Sequence, residues 1–490
     1  MGTAGAAGYS GGVTWKHFWE IFSFANYALV AYAIVIVLRR PREPRAMLAW
    51  VLALLLLPVL GLVLFVLIGQ LRLERTQRRR ARSRRALAHV LARHRHAAEW
   101  PQPPPIDAAL LNVVHLATKL TTLAPTLDNE VTLFQSPESF FLSLRMAIEN
   151  ARHHVHMEYY IWQPDETGRA LAESLRHKAR QGVRCRLLLD AIGSWRLTRR
   201  LVRELRAAGV EVAFFHPVLP WRGRWHVNFR NHRKLVVVDG QLGFTGSQNI
   251  GDEYRGRLRR LAPWRDVNIG IRGPAVLQLQ SVFLEDWAFS TRCDIDIEGM
   301  LPDPPAAGRH AVHIIPSGPD TRAYVLHQIL FAAIAAARRS ICIATPYFVP
   351  DSAMILALES AALRGVRVRL LIPSRTDHRF VLWAGRSFYQ ELAESGVETY
   401  EYDGGMLHAK TVIIDESWAL AGSANMDVRS FRLNFELTTV LYDAGLARTL
   451  QAEFDDLISA SRRCRPTGRH DWTFAQSLVL GVARMASPML

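Results

Sequence analysis

The chain has 490 residues, 49% of them hydrophobic, and a formal net charge of +16. Its length exceeds one typical domain, and its apolar content excludes disorder of the whole while leaving side chains for two cores and for membrane segments. Four cysteines, Cys185, Cys293, Cys342 and Cys464, stand far apart without a C-x-x-C pair, which points to neither a zinc site nor a disulfide framework and fits a reducing compartment.

Residues 1–15 read as a flexible, glycine-rich tail. Within residues 16–70, two uncharged apolar stretches follow, Ile21 to Leu38 and Ala46 to Ile68. Each approaches the ~20 residues a helix needs to cross ~30 Å of hydrocarbon. A cleaved secretory signal does not fit the first, because its apolar core exceeds the usual length of about 7 to 15 residues and "RRPREPR" stands where a small-residue cleavage site belongs. The short turn from Arg39 to Arg45 predicts a two-helix membrane hairpin, spanning the bilayer or only dipping into it. Up to residue 100 there are fifteen Lys or Arg against four Glu, ten of the arginines lying between Arg72 and Arg95. With Lys16 those ten outweigh the four arginines of the turn, so charge bias predicts that both ends of the hairpin are cytoplasmic. Residues 71–105 form a basic and proline-rich linker, closed by "WPQPPPID" (Trp100 to Asp107). A solvated linker or a nucleic-acid-binding arm has the same composition. Its place directly after a membrane segment favours anionic headgroups, each Lys or Arg contributing ~1 kcal/mol there.

From residue 106 helical and strand patterns alternate, which predicts an α/β architecture. The pattern is duplicated, giving expected domains at 106–300 and 301–490. "AIENARHHVHMEYYIWQPD" (147–165) matches "AIAAARRSICIATPYFVPD" (333–351): a helix, an apolar strand, an aromatic loop, then Pro-Asp. "GVRCRLLLD" (182–190) matches "GVRVRLLIP" (365–373), and "GVEVAFFHP" (209–217) matches "GVETYEYDG" (396–404). A period of about 180 residues is too long for a solenoid and predicts two homologous domains facing each other.

Each half then carries one charged motif, "NHRKLVVVDG" (231–240) and "LHAKTVIIDE" (407–416), within segments 227–254 and 403–430. On a strand, side chains at i and i+2 share a face, so His232 points with Lys234 and His408 with Lys410. Asp239 and Asp415 fall at odd spacing at the end of each run, where Asp239-Gly240 reads as a structural turn. One H-x-K would be an ordinary exposed strand face. Here H-x-K-x4-D occurs twice, each time followed after six residues by G-S-x-N ("TGSQN", "AGSAN"), a register that chance does not duplicate. A histidine at a reactive site also needs a carboxylate to fix its tautomer, and Asp266 in "WRDVNIGI" and Glu436 in "LNFELTTV" occupy corresponding places.

These motifs resemble the phospholipase D superfamily. The resemblance implies two phospholipase D-like α/β domains in a pseudo-twofold arrangement, with His232, Lys234, Asp239, His408, Lys410 and Asp415 as the catalytic set. It further implies that Glu436 orients His232, that Asp266 orients His408, and that His232 attacks. One imidazole would attack a phosphodiester to give a phosphohistidine while the other protonates the leaving alkoxide and later deprotonates the incoming alcohol, so the two rings need different protonation states. Lys234 and Lys410 would stabilise charge on the non-bridging oxygens. Ser247, Asn249, Ser423 and Asn425 would bind phosphate, or in the case of the serines tighten the turn. No metal-binding motif and no cofactor signature occurs, so the lysines are expected to act in place of a metal.

The superfamily spans nucleases, lipid hydrolases and phosphatidyl transferases. "PREPRAMLAWVLALLLLPVLGLVLFVLIG", "NIGDEY", "WRDVNI", "ANMDVRSFRLNFE" and the terminal "SPML" are similar to bacterial cardiolipin synthases, over nearly the whole chain from about Trp15. Gly246-Ser247 departs from the Gly-Gly of many such enzymes. The resemblance implies transfer between two phosphatidylglycerol molecules to give cardiolipin and glycerol at the bacterial inner membrane, with anionic phospholipids and the bilayer as partners and no nucleic acid. Phosphatidylethanolamine stays open as acceptor. Lipid hydrolysis is the alternative, a nucleic-acid phosphodiesterase a remoter one, and an inactive membrane scaffold is disfavoured by two intact motifs. "WRGRWHVNFR" (Trp221 to Arg230) suits an interface or a core, and "WTFAQSLVLGVARM" (Trp472 to Met485) reads as a helix that docks on the body or on the membrane.

Overall fold

The computed structural model describes residues 11–39, 44–66, 80–81, 106–216, 228–292, 299–302, 304–320, 324–376, 378–464 and 473–486. Cys293, Trp221 to Val227, the terminal "SPML", the first ten residues and most of the basic linker lie outside them. The chain divides into two compact units, Met1–Leu73 and Glu74–Leu490.

In the first unit, helix α1 (Gly11–Arg39) contains the span Trp15–Arg39, the one helix among the described residues long and apolar enough to cross a membrane. The second apolar stretch is not one continuous helix. It forms α2 (Pro44–Leu56) and α3 (Pro58–Leu64), separated at Leu57, whose φ of −130° and ψ of 67° leave the helical region. Pro58 explains the break: it has no N–H to continue the ladder, and its ring favours the first turn of a new helix. The bend brings backbones together, and a Cβ on Gly61 would stand 2.4 Å from the Ala53 carbonyl oxygen. Val30, Ala33 and Val37 of α1 form one apolar cluster with Leu54 and Phe65.

The second unit is built on a mixed sheet of fifteen strands. Its first half supplies β1 (Thr126–Phe134), β2 (His154–Tyr159), β3 (Arg184–Asp190), β4 (Glu211–Phe215), β5 (Leu235–Val238), β6 (Leu242–Gly246) and β8 (Asn268–Arg272), with a short β7 (Trp264–Arg265) outside the sheet. The second half supplies β9 (His310–Ser317), β10 (Ser340–Ala344), β12 (Arg367–Pro373), β13 (Glu398–Tyr402), β15 (Thr411–Ile414), β16 (Trp418–Gly422), β18 (Glu436–Leu441) and an edge strand β19 (Ser461–Arg463). The short β11 (Phe348–Val349), β14 (Met406–Leu407) and β17 (Met426–Asp427) stand apart from the sheet. Outward from the central antiparallel β1–β9 pair, one flank runs β8, β6, β5, β2, β3, β4 and the other β18, β16, β15, β10, β12, β13, β19. The connectivity is the same in both as far as β4 and β13, and the edge strand β19 is added on the second flank. Pairing of β1 with β9 merges the halves into one sheet within one compact unit. There are two apolar cores, and contrary to a division at residue 300 the helix Ala108–Thr121 puts Leu110, Val113, Val114 and Ala117 into the core of the second half.

The duplication reaches the backbone conformation. Asp165 and Asp351 each cap a helix by accepting from the N–H three residues on. The glycines opening the repeated "GV" strands, Gly182, Gly209, Gly365 and Gly396, take φ of 88°, 95°, 88° and 93°, the left-handed turn that ends the preceding helix. The tail forms a helix, Phe474–Ala486, whose Ala483 is buried against Ala384 and Val349. Leu478, Val479, Val482 and Met485 face outward.

Candidate active site

Neither H-x-K lies on a regular strand, contrary to the alternation that predicts one. β5 begins at Leu235 and β15 at Thr411. The residues before them leave the sheet to pair with the other half. Asn231 bridges Phe435, the His232 N–H donates to the Phe435 carbonyl at 2.9 Å, and the Phe435 N–H donates to the Arg230 carbonyl at 2.8 Å. In the same way β14 pairs in parallel with β7, and the His408 N–H donates to the Arg265 carbonyl at 2.7 Å. Backbone pairing therefore delivers each histidine to the segment that carries the other half's carboxylate.

The side chains complete two crossed pairs. His232 Nδ1 lies 2.9 and 3.0 Å from the two carboxylate oxygens of Glu436, and His408 Nδ1 lies 2.9 and 3.1 Å from those of Asp266. Both acids are fully buried, while the His232 side chain is 13% exposed. With Nδ1 held on a carboxylate, Nε2 of each ring is the nitrogen left to react. Each acid is braced in turn: Ser247 Oγ donates to Asp266 and Ser423 Oγ donates to Glu436. Trp264 Nε1 donates to Asp266 at 2.6 Å and Asn434 Nδ2 to Glu436 at 3.1 Å. The two serines expected to bind phosphate thus hold the acids instead. Asn249 accepts from the Ile161 N–H at 3.2 Å and Asn425 donates its backbone N–H to Ser430, so neither bond occupies the side-chain amide donors.

Lys234 Nζ donates to the carbonyl of His232 at 2.7 Å and Lys410 Nζ to that of His408 at 2.6 Å, which fixes each ammonium beside its histidine. The Tyr160 ring meets His232 edge-on at 4.9 Å, and the Lys234 ammonium lies 5.6 Å from the same ring. Trp264 lies 5.1 Å from the His408 ring.

Burial sets the electrostatics. It pushes His232 down to about 4 and Lys234 down to about 7, in both cases against the pull of Glu436. His408 is also lowered by burial, against Asp266. Against burial, which would raise them, His408 holds Asp266 and His232 holds Glu436 below their ordinary values. The two rings were expected to differ in protonation, yet both are pushed toward the neutral form.

The motif aspartates lie at the far ends of β5 and β15 from the histidines. Asp239 accepts from the N–H groups of Arg152, His153 and His154 at 2.7–2.9 Å. Asp415 accepts from those of Arg338, Arg339 and Ser340 at 2.7–3.0 Å. Their placement in the catalytic set by resemblance is corrected by this geometry: each carboxylate ties the start of β2 or β10 to the turn after the motif strand. Tyr160, Trp264 and Asn434 were not singled out from the sequence, although Trp264 and Asn434 both stand two residues before their acid. Among the described residues no group of three or more His, Cys, Asp or Glu could hold a metal ion.

The chain matches the family model described as cardiolipin synthase, PLD-like domain, at residues 144–287 and 330–458, and the phospholipase D-nuclease N-terminal model at 28–70. It is 38% identical over 495 residues to the cardiolipin synthase of Geobacillus kaustophilus (strain HTA426), covering 96% of this chain and 95% of that one. The chain belongs to the cardiolipin synthase family. A second family member, from Geobacillus sp. (strain WCH70), is 39% identical over 468 residues, covering 94% of this chain and 92% of that one. The phosphatidylserine synthase of Haemophilus influenzae Rd KW20 shares the fold, with a TM-score of 0.60 at 14% identity over 77% of this chain and all of that one. Membership in the cardiolipin synthase family supports a phospholipase D-type phosphotransferase activity of lipid metabolism at a membrane.

Proposed function

We propose that the chain makes cardiolipin by moving a phosphatidyl group between two phosphatidylglycerol molecules. The observation that carries this reading is the pair of crossed contacts, His232 with Glu436 and His408 with Asp266. Each histidine rests on the other half's carboxylate, and in this reading one imidazole from each half, related by a pseudo-twofold axis, serves a single phosphodiester. His232 Nε2 attacks phosphorus, the bond to the glycerol oxygen breaks, and His408 Nε2 gives that oxygen its proton. Glycerol leaves a phosphatidyl-histidine. His408 then takes the proton of the second lipid's hydroxyl, whose oxygen attacks phosphorus as the P–N bond breaks, releasing cardiolipin and restoring His232.

The low pKa of His232 supplies the neutral nucleophile. His408 must be protonated at the first step, and the negative charge of a bound phosphodiester raises its pKa in that state. Lys234 and Lys410 stabilise the charge that develops on the non-bridging oxygens. Water must be kept from the intermediate, since hydrolysis would give phosphatidic acid. In this reading α1 crosses the bacterial inner membrane and α2 with α3 turns back, leaving the catalytic unit in the cytoplasm.

Purified full-length protein is incubated with head-group- and acyl-labelled phosphatidylglycerol in EDTA, and the lipids are identified. Cardiolipin and glycerol in equal amounts are expected. Phosphatidic acid with glycerol would replace transfer by hydrolysis, and turnover only after metal addition would overturn the mechanism.

A further inference from the structure

The arginines between Arg72 and Arg95 read in sequence as a basic run that meets anionic headgroups or solvent, yet Arg80 is 2% exposed. Its Nη1 donates to Asp286 Oδ1, and its Nε lies 3.0 Å from Asp320 Oδ2. Its guanidinium carbon stands 4.8 Å from the centroid of the Phe435 ring. Asp286 is shared: its other oxygen accepts from Arg233 Nη1, and Arg233 in turn donates Nε to the Glu436 carbonyl at 3.1 Å and Nη2 to the Ser317 carbonyl at 3.2 Å. Phe435 is the residue whose carbonyl holds the His232 N–H, and it directly precedes the carboxylate that holds the His232 ring.

We propose that Arg80 is a positioning residue for the reaction, reaching out of the basic segment to fix the strand entry Asn434–Phe435–Glu436 against His232. Among the described residues the device exists on the His232 side only. Where the first motif has Arg233 between its histidine and lysine, the second has Ala409, and the residue before the acid is Phe435 on one side and Arg265 on the other. The braced side is the one assigned the covalent intermediate, so the inference rests on that reading of the site. The Arg80 guanidinium, itself paired with Asp286, packs against the Phe435 ring, while the backbone pairing with Arg230 and His232 holds the Phe435 main chain. Loosening either moves Glu436 relative to a ring that must attack along one line, and small misplacements of a nucleophile are costly in kcat.

The test uses full-length protein in phosphatidylglycerol-containing nanodiscs and reads glycerol release. That signal reports donor cleavage whether the product is cardiolipin or phosphatidic acid, so it stands apart from the fate of the transfer reading. Arg80→Met is expected to lower kcat at least tenfold with KM within about twofold, Arg80→Lys to recover part of the loss, and Arg84→Met, which removes the same charge from the same segment, to keep the wild-type rate. Wild-type kcat in folded Arg80→Met, or an equal loss in Arg84→Met, overturns the proposal. Should Arg80→Met fail to accumulate folded, Phe435→Leu decides, because it removes the ring and keeps every ion pair: a tenfold fall in kcat supports the proposal, and wild-type kcat rejects it.

Discussion

The His232 and His408 sites repeat one plan with different supports. In both, Nδ1 rests on a buried carboxylate from the other half, a serine hydroxyl and one further N–H brace that carboxylate, and a lysine bonds the histidine's own carbonyl. Around that plan the neighbours diverge. The second brace is the Trp264 indole on one side and the Asn434 amide on the other, and among the described residues the buried Arg233–Asp286–Arg80 cluster has no counterpart next to Ala409. The histidine, the lysine, the carboxylate and its serine are duplicated, whereas the groups packed around them differ. Two rings with one chemistry can therefore be adjusted to two tasks, attack and proton transfer.

The largest expected effect separates those tasks. His232→Ala and His408→Ala should each lower turnover of phosphatidylglycerol by about 10⁴-fold, since each removes an obligatory group. A phosphatidyl p-nitrophenol donor breaks the tie, because its leaving group needs no proton. With it, His408→Ala should release about one nitrophenolate per site and stall as phosphatidyl-histidine, while His232→Ala releases none. A burst from His232→Ala alone would exchange the two assignments.

Much of this comparison was legible in the sequence because the duplication aligns residue by residue. The repeated H-x-K, the "GV" strand entries and the Pro-Asp caps are local patterns, and each has a local structural cause. The acids were placed because they occupy corresponding places after the motifs, although Asp266 follows its histidine at a longer spacing than Glu436 does. What stayed hidden depends on contacts between distant segments. Arg80 looks like any linker arginine until Asp286 and Phe435 surround it, and a serine in G-S-x-N gives no sign that its hydroxyl turns toward an acid nearly twenty residues on in one half. The strand alternation of "HRKLVVV" held only from Leu235, because the residues before it bond the other half instead of the sheet. The break at Leu57 could be read from Pro58, but hydropathy averages over it.

A smaller effect lies in the pH profile of kcat/KM, which reports the free enzyme. Lys234 titrates near 7 because burial outweighs Glu436, and the charged form is the one below that value. His408 must also be protonated, so with both protons lost the rate should fall about a hundredfold per pH unit well above 7. His232, lowered to about 4, is neutral above that value and adds a limb on the acid side. Lys234→Arg keeps its charge, so its alkaline limb should become shallower, falling about tenfold per pH unit, the part that loss of the His408 proton leaves, even though the peak rate drops. An unchanged limb in Lys234→Arg would move the titration to another group and remove this distinction from the His232 side.

The smallest difference is expected where the halves are most alike. Asp239 and Asp415 have φ of 54° and 53°, and each accepts three backbone N–H groups at the start of the neighbouring strand. Asparagine tolerates the same left-handed backbone but has only one accepting oxygen, so Asp→Asn loses part of the charge-assisted bonding without adding strain. Each variant should lower the unfolding free energy by about 1–3 kcal/mol, and by similar amounts, with activity falling only as the folded fraction falls. Thermal unfolding and activity measured on the same samples check this. If Asp239→Asn stayed fully folded and lost turnover while Asp415→Asn did not, the first aspartate would belong to the chemistry after all, and the likeness of the two turns would be only geometric.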